Sequence, residues 1–274
     1  MKRLKLEPFP QPAPIILNNP VLLCHGFGAM GNMGKKGLLH DIGMMYRMRG
    51  ILAFAPNIVP YGRIETRAEA WKTAMEEIRR QTGNQPLDVI AHSMGGLDIR
   101  YAIHHLGAHA YINRLVTVST PHRGTYLADF MLRTPDTVLK HLADLTNWFG
   151  NSVHPDTPSD VLGALEQLTR EYVEHRFNPD CPDHPEVEYY SVTASAGEGT
   201  GVSISPLLIP FNKRIYEQQG VNDGYIPVSS AVWGRVIGET QLSHPEQIKI
   251  NLTSKKLDEW EHFWLDIARY LAGE

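Results

Sequence analysis

The chain has 274 residues, of which 42% are hydrophobic and 20% are charged, a composition that excludes a disordered chain and supports a sizeable buried core. Its length suits one large domain or two small ones. The formal net charge of −4 at pH 7 gives no indication of binding to nucleic acid or to an anionic membrane surface.

The N-terminal stretch MKRLKLEPFPQPAPIIL begins with basic residues, as a targeting segment would. Glu7 and the prolines interrupt any apolar run, so we expect neither a signal peptide nor a transmembrane span. This pattern favours a cytoplasmic protein, or a secreted one whose leader has been removed. The two cysteines, Cys24 in an apolar run and Cys181 in a loop rich in proline and aspartate, do not by themselves argue for a disulfide.

Short apolar runs alternate with helical periodicities along most of the chain. Strands are predicted at 15–17, 21–24, 51–55, 87–91, 114–118, 187–193 and 233–239, and helices at 38–49, 68–82, 128–132, 137–149, 158–177, 211–218 and 256–271, with a further helix after the strand 87–91. This alternation predicts an α/β fold with a mostly parallel central sheet and helices on both faces. Because no linker or repeat is visible, we expect residues 1–274 to form a single domain. Phe27, Ser93 and Thr120 each follow the end of a strand, so they should meet at one edge of the sheet.

The stretch LDVIAHSMGGLDIRY, residues 87–101, holds the pattern around which the chain is organised. A buried run rich in β-branched residues leads directly into His92-Ser93-Met94-Gly95, and helical spacing resumes afterwards. A serine between a strand and a helix, with small residues on both sides, is the pattern of a nucleophile elbow, usually G-x-S-x-G. Here Ala91 takes the first small position. The alternative is a plain strand–helix junction in which Ser93 only caps the helix.

A serine hydroxyl is a weak nucleophile that needs a general base, and the base needs a carboxylate to orient it. After a nucleophile elbow the expected chain order is serine, acid, histidine. Asp223 in the turn VNDG and His244 in SHPEQI follow Ser93 in that order. The competing histidines lie within the C-terminal helix or before Asp223 in the chain: His262, His175 and His184.

Glycines that directly follow a buried strand let the backbone approach a ligand closely. In the sequence HGFG after the strand 21–24, we expect the backbone N–H of Phe27 to form one half of an oxyanion hole. The N–H of Met94, the residue after the serine, should form the other half. His25 and His92 are expected to brace this edge of the sheet rather than to transfer protons.

Residues 126–182 interrupt the alternation of strands and helices, and they predict helices only. This insertion follows the strand 114–118, so it begins at the edge of the sheet where the site is expected. Its apolar residues at helical spacing are Val138, Leu142, Leu145, Trp148, Phe149, Val161, Leu162 and Leu165. We expect a helical lid over an apolar substrate pocket, the alternative being a helical subdomain with its own packing.

Several landmarks occur along the chain: VLLCHGFG, AHSMGG, TPHRGT, ALEQLTREYVEHRFN, VEYYSV, VNDGYIPVSSAVWG and SHPEQI. With them the chain resembles, from about residue 20 to 271, the bacterial true lipases of the α/β-hydrolase superfamily, the Pseudomonas–Burkholderia–Proteus-like group. The resemblance implies an α/β-hydrolase fold with Ser93 as nucleophile, Asp223 as acid, His244 as base, and Phe27 and Met94 as oxyanion donors.

The same resemblance implies a serine hydrolase that cleaves carboxylic esters through an acyl-enzyme. We expect a lipase or esterase that acts on acylglycerols, with a lipid–water interface as a possible site of action and no nucleic-acid partner. The same acyl transfer also serves polyester hydrolases, thioesterases and amidases, and a chain with this fold can be a non-catalytic binding protein. These alternatives stay open at the level of the sequence.

Many members of that group hold a structural calcium ion through an Asp in a Leu-Asp-Pro run and an Asp two residues after the catalytic histidine. Here Ser205 and Glu246 take those positions, and a site with one carboxylate fewer offers Ca²⁺ fewer anionic oxygens. We therefore expect no calcium and no other cofactor. The histidines His104, His105 and His109 have no cysteine or carboxylate partners in the sequence pattern, which favours a solvated helix face over a metal site.

Overall fold

The computed structural model describes residues 12–28, 37–136, 139–140, 143–144, 146, 154–157 and 159–274. Its strands are β1 (Val21–Cys24), β2 (Ala53–Phe54), β3 (Leu87–His92), β4 (Ile112–Val118), β5 (Glu188–Ala194) and β6 (Arg235–Thr240). They form one six-stranded sheet in the order β2-β1-β3-β4-β5-β6, and every neighbouring pair is parallel. The predicted α/β fold with a mostly parallel sheet is therefore confirmed.

Helices occupy the connections between these strands. They are α1 (His40–Met48), α2 (Ile64–Gln81), α3 (Gly95–His105), α4 (Tyr126–Leu132), α5 (Val161–Glu166), α6 (Arg170–Tyr172), α7 (Asn178–Asp180), α8 (Ile209–Gln219), α9 (Val228–Ala231), α10 (His244–Gln247) and α11 (Leu257–Ala272). A π-helical stretch (Val173–Phe177) joins α6 to α7, and 3₁₀ turns occupy Ala108–Ala110 and Ser254–Lys256. In the part of the chain that the structure describes, no helix is both long enough and apolar enough to cross a bilayer.

The central strands β1 and β3 are buried on both faces, which explains why β1 is a continuous apolar run and β3 is nearly one. Successive side chains of a strand point to opposite faces. On one face Val21 and Leu23 belong to the cluster built with α1 and α11, and on the other face Leu22 and Cys24 belong to the cluster built with α2 and α3. Cys24 and Cys181 are both free and buried.

Two predicted elements near the N-terminus differ from the structure. Residues 15–17 form no strand, because the Ile15 N–H donates to the carbonyl of Arg49 after α1 (2.9 Å) instead of joining the sheet. Helix α2 begins at Ile64, one turn before the predicted start. The Ile64 N–H at that first turn donates to the side-chain oxygen of Gln167 (2.6 Å), a partner more than one hundred residues away.

The insertion also departs from its predicted helices. The helix predicted over 158–177 is interrupted between α5 and α6, because the Thr169 side chain accepts the N–H of Tyr172 (3.3 Å) and so caps a new helix. Most of the helix predicted over 137–149 lies outside the described residues. The four-residue helices α9 and α10 were not predicted, because they are too short to show a period of 3.6 residues.

Candidate active site

Ser93 lies in the sharp turn between β3 and α3, with φ of 58°. A residue other than glycine rarely adopts this left-handed conformation, so the turn is strained. Two hydrogen bonds hold it: the Ser93 N–H donates to the carbonyl of Val118 in β4 (2.8 Å), and the Thr120 hydroxyl donates to the Ser93 carbonyl (2.7 Å). Ser93 thus has the strand–turn–helix geometry that the elbow motif requires, and Thr120 reaches the same edge of the sheet as predicted.

The turn after β1 packs directly against the turn that carries Ser93. A Cβ atom on Gly26 would lie 2.6 Å from the Ser93 Cβ, and one on Gly95 would lie 2.9 Å from the carbonyl oxygen of His25. Neither distance is compatible with a side chain. Glycine at these two positions therefore lets the segment that bears Phe27 approach the serine.

Asp223 and His244 form a buried pair. The Nδ1 atom of His244 lies 2.8 Å from Asp223 Oδ2, and the two side chains are 9% and 1% exposed. The other carboxylate oxygen accepts the backbone N–H groups of Tyr225 (3.0 Å) and Ile226 (2.7 Å). Burial by itself raises the pKa of Asp223, but the charge and hydrogen bond of His244 and the two backbone N–H groups outweigh burial and leave that pKa lowered.

The Asp223–His244 pair lies beside the turn that carries Ser93. The ring centroids of His92 and His244 are 4.6 Å apart, and His92 directly precedes Ser93. His244 follows β6 and is the first residue of the short helix α10. The structure therefore brings the predicted serine, acid and histidine to the same end of the sheet.

The competing histidines lie elsewhere. His262 is exposed on α11, and its Nδ1 is 2.6 Å from the carbonyl oxygen of Asp258 in the same helix. His175 is exposed and lies 3.8 Å from Glu171. His184 stacks on His109, and the two ring centroids are 4.0 Å apart.

Gln247 is a site residue that the sequence analysis missed. Its side chain is fully buried, and its Nε2 donates to Asp223 Oδ2 (3.1 Å), the oxygen that also faces His244. Because a carboxylate can only accept, the amide nitrogen faces Asp223 and the amide oxygen faces Nε2 of His92 (3.1 Å). Burial and the charge of His244 lower the pKa of His92 well below 6.5, so His92 stays neutral and donates this bond. In the sequence, a glutamine three residues after the histidine gives no signal, since the helix that aligns the two is only four residues long.

Arg67 fixes the segment between β1 and Phe27. It is fully buried, and its two terminal nitrogens donate to the carbonyls of His25 and Val59, each at 2.7 Å. Its Nε atom pairs with Asp98 Oδ2 at 2.9 Å. Burial raises the pKa of Asp98 to about 6, although the Arg67 charge opposes this shift. Burial and the Arg67 charge lower the pKa of His25 to about 3, so His25 is neutral and braces this segment as a hydrogen-bonding residue.

The two predicted oxyanion donors lie on segments that meet at the serine. Among the described residues, no hydrogen-bond acceptor is found for the backbone N–H of Phe27 or of Met94. Met94 precedes the first residue of α3, where backbone N–H groups have no partner within the helix and favour negative charge. The assignment of these two groups as an oxyanion hole stays a prediction.

Described parts of the insertion 126–182 pack onto the residues of the predicted oxyanion hole. Phe27 contacts the cluster that contains Leu139, Val161 and Leu165, and Met94 belongs to the cluster that contains Ala164 and Leu168. The ion pair between Arg63 and Asp160 (2.7 Å) ties the start of α5 to the start of α2. Five residues on which the lid prediction depends lie outside the described residues: Val138, Leu142, Leu145, Trp148 and Phe149.

The residues at the two calcium positions do not fit a calcium ion. The Glu246 Oε2 atom accepts bonds from the Ser243 N–H (2.8 Å) and hydroxyl (2.7 Å) and from the Lys256 ammonium (2.8 Å). Ser205, at the position where the resemblance to bacterial true lipases would place a carboxylate, is neutral. Ca²⁺ requires six to eight oxygen ligands, several of them anionic, and here the single carboxylate already faces an ammonium group.

The prediction that His104, His105 and His109 lack cysteine or carboxylate partners is wrong for His105 and His109. His105 lies near Asp180 and Cys181, and His109 lies near His184 and Glu186, in two groups whose ligand atoms are within 4.8 Å of one another. These partners come from a segment about 75 residues later, so the local sequence does not reveal them. The rings of His109 and His184 are nearly parallel, with 13° between their planes, so their nitrogen lone pairs do not converge on one point.

The six-stranded parallel sheet, covered on both faces, and the serine turn at its carboxyl edge define the α/β-hydrolase fold. A metagenomic carboxyl esterase has a similar solved structure, with TM-score 0.75 and 19% identity, over 99% of this chain and 82% of that one. A lipase from Bacillus licheniformis in its mature form has TM-score 0.64 and 20% identity, over 92% of this chain and 96% of that one.

The chain belongs to the family described as "Domain of unknown function (DUF7379)", whose model matches residues 16–182. It is also 30% identical to triacylglycerol lipase 2 of Saccharomyces cerevisiae over 226 residues. This aligned region is 79% of this chain and 63% of the yeast protein. A triacylglycerol lipase of Pseudomonas fragi is 30% identical over 171 residues, which is 60% of this chain and 57% of that protein. The chain thus spans less than two thirds of the length of these curated relatives.

Proposed function

We propose that this protein is a carboxylic ester hydrolase, and that Ser93, His244 and Asp223 are its nucleophile, base and acid. The observation that carries the proposal is the buried Asp223–His244 pair beside the strained turn of Ser93. Relatives named triacylglycerol lipase in sequence comparisons support the same reaction class.

The hydrogen bond between Asp223 and His244 Nδ1 requires the imidazole proton on Nδ1, which leaves Nε2 able to accept a proton. In the proposed reaction the Ser93 oxygen attacks the ester carbonyl carbon while its proton passes to His244. The carbonyl oxygen becomes an oxyanion that accepts bonds from the N–H groups of Phe27 and Met94. Collapse of the intermediate expels the alkoxide, which takes the proton from His244. Water then attacks the acyl carbon while its proton passes to His244, and collapse of this second intermediate breaks the bond to the Ser93 oxygen, which takes the proton back from His244 as the carboxylic acid leaves.

For the substrate we propose the acylglycerol esters that bacterial true lipases cleave, and we propose that the insertion 126–182 caps the acyl site. The apolar contacts between this insertion and Phe27 support an apolar acyl chain. The curated relatives include triacylglycerol lipases of Pseudomonas fragi and Burkholderia plantarii. We propose that the chain needs no metal or other cofactor for this reaction.

The decisive experiment compares the wild type with Ser93→Ala in hydrolysis of p-nitrophenyl butyrate. We expect the variant to lose nearly all turnover, and Ser254→Ala, an exposed serine, to keep it. A fluorophosphonate should label the wild type and Ser254→Ala but not Ser93→Ala. A wild type that neither hydrolyses the ester nor reacts with the fluorophosphonate would favour a non-catalytic binding protein.

A second experiment identifies the substrate class. We expect hydrolysis of glycerol esters across acyl lengths of two to eighteen carbons, with slower cleavage of amides, thioesters and polyesters. Substrate entry beneath the insertion would expose apolar surface, at a cost of about 25 cal/mol per Å² in water, which a lipid surface removes. The rate should therefore rise when a long-chain ester passes its solubility limit. Smooth saturation below that limit, without a rise above it, would identify an esterase.

A further inference from the structure

The helix that carries His244 is too short to be stable without neighbours. Helix α10 has four residues, and isolated helices of fewer than about twelve residues are marginal in water. Its N-terminus is closed by a reciprocal capping box between Ser243 and Glu246. Its C-terminal carbonyl, that of Gln247, accepts the indole N–H groups of Trp260 (2.8 Å) and Trp264 (2.9 Å) from α11. The position of His244 therefore depends on contacts between α10 and the C-terminal part of the chain.

One ion pair joins α10 to the 3₁₀ turn that precedes α11. The Lys256 Nζ atom lies 2.8 Å from Glu246 Oε2, and the two side chains are 18% and 9% exposed. The same carboxylate oxygen forms the capping bonds with Ser243, so three donors converge on it. Hydrogen bonds to an ionised group are shorter and stronger than neutral ones. Glu246 thus holds the capping box and the ammonium group together.

We propose that Lys256 is a positioning residue, whose ammonium group supplies from within the chain the positive charge that holds α10, and with it His244, in place. The inference rests on the proposed function, because it assigns His244 as the base.

The surroundings of Glu246 favour the ammonium group over a divalent cation. A buried carboxylate that loses its partner carries a large desolvation penalty, so Glu246 requires a nearby positive charge. The other lysine of this region, Lys249, pairs with Asp41 (3.3 Å) and lies over the Trp260 ring (4.1 Å). Lys256 is therefore the group that compensates Glu246, and a calcium ion would have to displace it.

The first test compares Lys256→Met with Lys255→Met and Lys256→Arg in hydrolysis of p-nitrophenyl butyrate at 25 °C. Lys255 is the exposed neighbour and serves as the matched control. Because a displaced base slows the chemical step and leaves substrate binding intact, we expect Lys256→Met to lower kcat at least about tenfold with KM within about twofold. Lys256→Arg keeps the charge and should stay within about threefold of the wild type, and Lys255→Met should match the wild type. A folded Lys256→Met variant with wild-type kcat would refute the proposal.

A second test keeps the proposal falsifiable if Lys256→Met does not fold. The double variant Lys256→Met/Glu246→Gln leaves no buried charge uncompensated, so it should fold, and its kcat should still fall about tenfold. EDTA should change neither kcat nor the thermal midpoint of the wild type. Loss of activity in EDTA with recovery in CaCl₂ would show that a metal ion holds α10, and would overturn the inference. Fluorophosphonate labelling of wild-type Ser93 keeps this outcome separate from a failure of the proposed ester hydrolysis.

Discussion

Replacement of Asp223 by asparagine removes one negative charge and preserves the shape of the side chain. Asp223 Oδ1 accepts two backbone N–H groups, from Tyr225 at 3.0 Å and Ile226 at 2.7 Å. An asparagine must keep its oxygen on those donors, because its NH₂ group cannot accept from them. Its NH₂ group then faces His244 Nδ1 in place of the carboxylate oxygen that is 2.8 Å away in the native protein.

The consequence for His244 is a change of tautomer. With a donor opposite Nδ1, the imidazole must accept there and carry its proton on Nε2, so Nε2 can no longer take the proton of Ser93. In serine proteases the same substitution lowers kcat about 10⁴-fold, which corresponds to about 5.5 kcal/mol in the barrier. Because Asp223 and His244 are buried, water cannot readily replace the lost acceptor, and we expect a loss of similar size here.

The assay is the steady-state hydrolysis of p-nitrophenyl butyrate at pH 8 by the wild type and Asp223→Asn, with circular dichroism to verify that both are folded. A fluorophosphonate should label the variant far more slowly than the wild type. The matched control is Asp258→Asn on the exposed face of α11, which should keep wild-type kcat. If folded Asp223→Asn keeps more than a tenth of the wild-type kcat, Asp223 is not the residue that orients the base.

Three further predictions concern the supports of the site. Gly26→Ala should lower kcat on the order of 10²–10³-fold, because its Cβ would lie 2.6 Å from the Ser93 Cβ and displace the segment that bears Phe27, the predicted oxyanion donor. Gly43→Ala should change kcat little, because its Cβ would lie 3.4 Å from its nearest neighbour, the Ala55 Cβ, and equal kcat values for the two variants would contradict this argument. Arg67→Met should lower the free energy of unfolding by about 3–5 kcal/mol in urea, because it leaves buried Asp98 without a compensating charge and with only the Trp71 indole N–H as a donor, and a loss below about 1 kcal/mol would contradict the argument. Burial lowers the pKa values of His25, His92 and His122, that of His25 to about 3, so below about pH 6.5 the native state binds fewer protons at these histidines than the unfolded chain does. The free energy of unfolding should therefore fall as the pH falls below about 6.5, by about 1.4 kcal/mol per pH unit for His25, and urea midpoints that are equal at pH 7 and pH 5 would disagree with this.

Local patterns in the sequence predicted the sheet and the serine turn. A strand, a turn and a helix that are contiguous in the chain are governed by short-range sterics, so the segment from Leu87 to Tyr101 shows its structure in its own residues. The paired acid and histidine were predicted from chain order and residue type, and the 2.8 Å contact between Asp223 and His244 agrees with that choice. Their catalytic roles stay predictions until the variants are measured.

Elements with weak local signals were predicted less well. The interruption after α5 depends on the Thr169 cap, and the strand expected at 15–17 does not form because Ile15 bonds to Arg49 instead of to a strand. In each case a polar contact outweighed an apolar pattern, since a buried backbone group must find a hydrogen-bond partner wherever one is available. The sequence shows which residues are apolar but not which partner each backbone group will find.

The chain alone determined the α/β alternation, the serine elbow and the residue types from which a triad can be built, because these are properties of short contiguous segments. Only the tertiary structure decided which polar groups support them. Gln247 reaches His92, 155 positions earlier in the chain, and Arg67 reaches Asp98, 31 positions later. Lys256 meets Glu246 only because the turn between α10 and α11 folds back on itself. Contacts of this kind depend on how helices pack around the sheet, and packing selects among many chemically equivalent polar residues that look alike in the sequence.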